Sequence, residues 1–328
     1  MSKTVFYTPL FFLAYSITAA AQQRVLPNVA AGILSDNLQA HICTLTSDSM
    51  QGRLNGTEAA LKAADYIAAC FEQSALQMPY DSSYYQAFVT PKAAGVNVIG
   101  LIEGNERRDE AVIVSAHYDH VGTLNGQIYH GADDNASGVA AMLEIAQAFA
   151  EMLKNDCRPQ RSVVFIAFDA KESELAGSGY YVRHPLFPMN KTFVNLNIDA
   201  VGRVEGSPNG MADYLLLVGV DRISPDLLFL SDSLNRRHSL RLYLDRTFYD
   251  SDVFTDVFYT FSDQYPFAQH RVPAIYYTGG LHDDLYRPTD IEEYIHYDVL
   301  KKRTQLIFYT AWELANRPAL TKHKQYIR

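Results

Sequence analysis

Apolar residues along this chain fall into two patterns that alternate. Val163 to Phe168, Thr192 to Ile198, Leu215 to Val220 and Ala274 to Thr278 are short runs of strand length without a solvent-facing alternation, which predicts strands buried on both faces. Ala111 to Ala116 (AVIVSA) is another, preceded by predicted strands at Tyr84 to Val89 and Val96 to Ile102. Between and around them the spacing changes to that of a helix. Two helical segments between Ile33 and Phe71 flank Ser47 to Thr57, and the second carries Ala60, Leu61, Ala64, Ile67 and Ala68 on one face. Val139 to Met152, Ile223 to Asn235 and Tyr297 to Ala315 complete the helices, with Leu240 to Leu244 extended. Strands alternating with helices predict an α/β fold of three layers, with a mainly parallel central sheet and helices on both faces. No repeat or Pro/Gly-rich linker interrupts residues 22–328, so a single domain is expected there.

The first residues read differently. Lys3, an apolar run from Val5 to Ile17 and the small residues Ala19, Ala20 and Ala21 before Gln22 form the pattern of a signal peptide over residues 1–21. Export to the periplasm or beyond is the expectation. No later stretch is expected to span a membrane, which needs ~20 apolar residues. With 28 basic against 37 acidic side chains and no basic run, a nucleic-acid surface is excluded. Cys43, Cys70 and Cys157 are three cysteines without metal-type spacing. One bridge with a thiol left over is conceivable on counting alone, but Cys70 sits at an apolar helix position and no disulfide framework is expected.

Chemistry concentrates in Ser115-Ala116-His117-Tyr118-Asp119-His120 and Gly131-Ala132-Asp133-Asp134-Asn135-Ala136-Ser137-Gly138. The first places an imidazole at a strand end and the second a carboxylate at a helix-opening loop, where open α/β sheets build their sites. Either half alone reads equally well as a salt-bridged loop or an N-cap. Together, and with further carboxylates after later strands, they point to a divalent ion.

With these residues in view, the chain resembles the zinc exopeptidases that include bacterial leucyl aminopeptidases, glutaminyl cyclases and glutamate carboxypeptidase. The likeness runs in order through SDSMQGRLNGTEAALKAADYIA, NVIGLIEG, SAHYDHVG, GADDNASG, FIAFDAKESELAGS, NLNIDAVGR, SDQYPF and GLHDDLYRPTD. It implies zinc held by His117, Asp133 and Asp199, with Asp133 bridging to a second ion and Asp119 orienting the His117 ring. Asp199 is independently notable, because a buried carboxylate after an apolar strand is costly without a charge partner.

The likeness also exposes departures. Where the family has adjacent glutamates, a general base and a ligand, this chain has Lys171 and Glu172, and an ammonium cannot accept a proton. Tyr286 stands where the family has the histidine that shares a metal with Glu172, and Gln264 replaces a histidine before Pro266-Phe267. One zinc ion rather than two is therefore expected, with Lys171 and Tyr286 in the vacated position. Under a local misalignment, His282 reaches the metal and Glu174 or Asp169 serves as base. Two functions stay open: slow aminopeptidase-type hydrolysis of a peptide or amino-acid-derived substrate, and a catalytically silent, metal-stabilised protein that binds peptides or sugars. Tyr249, Tyr259, Tyr265, Tyr276 and Tyr277 either line a pocket or pack. Nothing in the sequence specifies an oligomeric state.

Overall fold

The computed structural model describes residues 24–80, 82–207, 210–247 and 252–323; the expected signal peptide (residues 1–21) and Tyr249 lie outside them. Eight strands form one sheet in the order β1 (Tyr85–Val89), β2 (Ala94–Ile102), β6 (Arg161–Phe168), β3 (Arg107–His117), β7 (Thr192–Ile198), β10 (Ala274–Thr278), β8 (Tyr214–Val218) and β9 (Tyr243–Asp245). The four central strands β6, β3, β7 and β10 are parallel. The sheet is mixed overall, because β2 and β8 pair antiparallel to this centre. A small hairpin, β4 (Gly122–Leu124) and β5 (Gln127–Tyr129), stands apart.

Period-two alternation sorts the central strands by face. Val112, Val114, Ala116, Leu196 and Ile198 enter the larger core, which also contains α1 (Ser35–Leu45), α2 (Glu58–Gln73), α3 (Gly138–Lys154) and α4 (Tyr297–Asn316). Ser115, His117, Asn195, Asn197 and Asp199 occupy the other face as a buried polar row. The register pairs Ser115 with Asn197, so His117 and Asp199 stand level one step further along. Beneath them Asn195 donates to the Ser115 hydroxyl (2.9 Å), which donates to Asn197 Oδ1 (2.9 Å).

The stretch Ala132–Lys154 is long and apolar enough to cross a membrane, against the expectation from sequence. Its most apolar window is 83% buried between the sheet and α1 and α4, which identifies a core helix. Gly138 opens α3 close against β7, where a Cβ would lie 2.5 Å from the Ile198 carbonyl. All three cysteines are free, so the fold stands without a disulfide.

Arg53 is fully buried between α1 and the loops leaving β3 and β5. Its guanidinium donates to the carbonyls of Leu45 (2.6 Å), Tyr118 (2.8 Å), His130 (2.7 Å) and Gly131 (2.9 Å). One planar fork thus ties together the two loops that carry His120 and Asp134. Arg53→Met is expected to lower unfolding free energy by about 3–5 kcal/mol, since it strands buried acceptors. Denaturant titration checks this, and a loss below about 1 kcal/mol is incompatible with the role.

Candidate metal and catalytic site

Parallel strands end on the same edge of the sheet, which is why residues remote in sequence meet here. His117 is the last residue of β3, Asp199 follows β7, and Lys171 and Glu172 follow β6 by a short loop. Asp134 comes from the loop that opens α3. Asn135 fixes that loop by donating to the carbonyls of Ile198 (2.9 Å) and His117 (3.3 Å) while accepting from the Gly138 and Ala200 amides (both 3.0 Å).

His117 Nε2 lies 3.2 Å from Asp134 Oδ1 and 3.3 Å from Asp199 Oδ1. All three side chains are buried. One ring N–H shared between two acceptors binds each weakly, whereas zinc ligands at ~2.0–2.1 Å in tetrahedral array stand roughly 3.3 Å apart. Asp134 Oδ1 has no hydrogen-bond partner among the described residues. His117, Asp134 and Asp199 therefore fit a zinc ion in both donor type and spacing. Asp199 Oδ2 is held from behind by the Ser262 hydroxyl, itself an acceptor from Asn197 (2.8 Å). Although burial and Lys171 oppose charging of the His117 ring, Asp199, Asp119 and Asp134 raise its pKa well above the ordinary value.

The carboxylate in this cluster is Asp134, not the Asp133 expected from sequence. Adjacent residues in the loop turn to opposite sides. Asp133 Oδ1 accepts from the Gly202 amide and the Ser137 hydroxyl (3.0 Å), and its Oδ2 lies 3.2 Å from His282 Nε2. His282 is thereby spent on Asp133 and does not reach the cluster. Asp119 also departs from its expected contact. The His117 Nδ1 faces the Asp119 backbone carbonyl at 3.1 Å, with the carboxylate at 3.7 Å. That carboxylate instead accepts from the amides of Lys171 (3.0 Å) and Glu172 (3.1 Å), fixing the turn that carries them.

Lys171 Nζ donates to Glu172 Oε1 (3.0 Å) and the Tyr286 hydroxyl (3.1 Å), and lies 3.7 Å from Asp134 Oδ1. Tyr286 in turn donates to Glu172 at 3.3 Å. Burial opposes charging of the amine, but Asp134, Asp199 and Glu172 hold its pKa well above the ordinary value. Burial, with Asp134 and Asp119 adding to it, pushes the Glu172 carboxyl up to about 7 against the pull of Lys171.

The other candidates lie elsewhere. Glu174 lines the adjoining cavity in a left-handed conformation (φ 62°), outside the carboxylate cluster. Asp169 accepts from Asn55 (2.9 Å) and the amides of Val96 (3.0 Å) and Ala170 (2.7 Å), which leaves it structural. Gln264 is buried beside Asn197 and the Tyr259 carbonyl and does not line the cavity. Tyr265 and Tyr276 line it, while Tyr277 packs in the core. Sequence reasoning passed over His120, which is buried next to Asp134 and Glu172. Burial, with Arg53, His117 and Lys171 nearby, pushes its imidazole down to about 4. The second histidine in His117-Tyr118-Asp119-His120 was the available signal.

From Asp134, Lys171, Glu172 and Asp199 a cavity of about 1130 Å³ opens between walls that include Leu175, Val182, Phe258, Phe261, Leu281 and Leu285. A polar floor under apolar walls is the usual form of a small-substrate site.

The aminopeptidase YwaD of Bacillus subtilis is 36% identical over 108 residues, 32% of this chain and 22% of that protein. The chain spans only 10–22% of the length of such curated relatives. In fold it is similar to the LapA aminopeptidase of Legionella pneumophila (TM-score 0.69, 18% identity, 97% of this chain and 78% of that one). It is also similar to a zinc aminopeptidase from Bacillus subtilis (TM-score 0.67, 16% identity, 86% and 95%). Residues 97–311 match the model of Peptidase family M28, and the chain belongs to that family.

Proposed function

We propose that this protein is an exported, slow aminopeptidase-type amide hydrolase that works with one zinc ion rather than two. The observation that carries the reading is the Lys171 ammonium, 3.0 Å from Glu172 and 3.7 Å from Asp134, among the oxygens a second ion would need. His117, Asp134 and Asp199 would hold the ion. When bound, zinc supplies Lewis acidity that polarises a carbonyl and lowers the pKa of a water towards about 7.

The protein's own groups divide the remaining work. Lys171 is a donor and not a base, and its ammonium stabilises negative charge that develops on a carbonyl oxygen in the cavity. Glu172 is the proton acceptor the site retains. Its carboxyl, poised near neutrality, is matched to taking a proton from water at physiological pH. The ion pair to Lys171 and the hydrogen bond from Tyr286 lower its basicity and restrain its reach, which makes the reaction slow. The apolar walls of the cavity suit a peptide whose terminal side chain is apolar. The same Lys171–Glu172–Tyr286 closure also favours a second reading, a metal-stabilised peptide-binding protein without turnover.

The parent is expected to bind about one zinc per chain, and Lys171→Glu combined with Tyr286→His about two, with the rate on aminoacyl reporters raised roughly 10²–10⁴-fold as for a recovered general base. Elemental analysis and reporter release measure both. Two tightly held ions in the parent contradict the single-zinc reading, and no release by the parent at any zinc concentration selects the binding reading.

Glu172→Gln is expected to abolish residual hydrolysis while leaving the zinc content near one. Unchanged turnover in that variant would show that Glu172 is not the base. Asp119→Ala releases the turn that carries Lys171 and Glu172 and loosens the carbonyl that faces His117. Calorimetric titration should then show zinc affinity reduced by about 10–100-fold, and an unchanged affinity would remove Asp119 from this role.

A further inference from the structure

We propose that His120, Asp134 and Glu172 form a second divalent-metal position that Lys171 keeps closed, so that removing this one side chain admits an ion held through His120 and not through the residue at 286. The inference rests on the single-zinc reading above.

One ligand atom from each of these three residues lies within 4.8 Å of the other two, and Asp134 is shared with His117 and Asp199. His120 is fully buried, and neither of its ring nitrogens has a hydrogen-bond partner among the described residues. Buried polar groups are ordinarily satisfied, so an imidazole left with two idle nitrogens marks a place where a partner fits. Its Nδ1 lies 3.7 Å from Asp134 Oδ2.

The ring is also held firmly. The His120 amide donates to the Arg53 carbonyl at 3.2 Å. On one side the ring lies against Gly131, where a Cβ would come within 2.6 Å of it. It also stacks on Tyr286, with centroids 6.0 Å apart and planes at 17°. The ring is thus oriented by its surroundings while neither of its nitrogens is hydrogen-bonded among the described residues. A neutral imidazole with two carboxylates is a zinc donor set. Lys171 offers those carboxylates a single charge and leaves the imidazole unused, whereas a divalent ion would engage all three ligands.

The test is zinc content after equilibration with buffered free zinc, for the parent and for variants at position 171. Lys171→Met alone is expected to raise the content from about one to about two per chain. Adding His120→Asn should return it to about one, and adding Tyr286→Phe should leave it at about two. Lys171→Gln removes the charge with a shorter polar side chain, and serves as the second variant with the same expectation if the methionine form does not fold. A content that stays near one in the Lys171 variants, or a second ion that persists without His120, overturns the inference. A parent that already holds two ions overturns the single-zinc reading beneath it instead.

Discussion

Crowding of negative charge at the carboxyl end of the central sheet is the constraint from which the rest of the site follows. Asp119, Asp134, Glu172 and Asp199 are brought together there with little access to water. Two like charges about 4 Å apart repel by about 4 kcal/mol at an effective dielectric of about 20, so several such pairs would rival the stability of a whole domain. Positive charge must enter this space. The protein supplies it from Lys171 and from a protonated His117, and a metal held by His117, Asp134 and Asp199 would take the place of the His117 Nε2 proton.

Holding those groups close requires a frame that does not yield. The frame consists mostly of side chains bonded to backbone. Arg53 clamps the loops of His120 and Asp134, and Asn135 brackets the ends of β3 and β7. Asp290 accepts from the amides of Asp133 (3.0 Å) and Asp134 (3.1 Å) and sets the turn that sends their side chains apart. Asp119 performs the same service for Lys171 and Glu172. Each bond is charge-assisted or buried, which makes its loss costly. Rigidity of this kind positions ligands to a fraction of an ångström before any ion arrives.

Much of this frame could be read from the chain because its signals are local. Continuous apolar runs locate β6, β7 and β10, and helical spacing locates α2, α3 and α4 to within a few residues. His117 and Asp199 stand at the ends of such runs, so their convergence followed from parallel strand order. Asp133 against Asp134 was not legible. Two identical side chains in succession differ only in the direction each faces, and that direction is set by Asp290, more than 150 residues away. Arg53 was hidden for a similar reason, since its partners are carbonyls and carry no sequence signature. The β4–β5 hairpin had a local mark that went unused: Asn125-Gly126, both at positive φ, form the turn. The sheet proved mixed because strand direction at β2 and β8 depends on connections and not on composition.

The two departures at positions 171 and 286 make physical sense only as a pair. A lysine introduced beside an intact second metal site would oppose the ion it adjoins, and a lost histidine alone would leave Glu172 and Asp134 less well neutralised. Together they exchange one source of positive charge for another, because the ammonium reaches both carboxylates and the tyrosine hydroxyl completes its coordination. On the proposed single-zinc reading, the exchange would keep the charge balance of the site while giving up the group that takes a proton from water. Stability and catalysis, which a second metal would serve at once, would thereby be separated. The fold would hold a cation that no chelator removes, and the proton-accepting duty would pass to Glu172, whose basicity that same cation restrains.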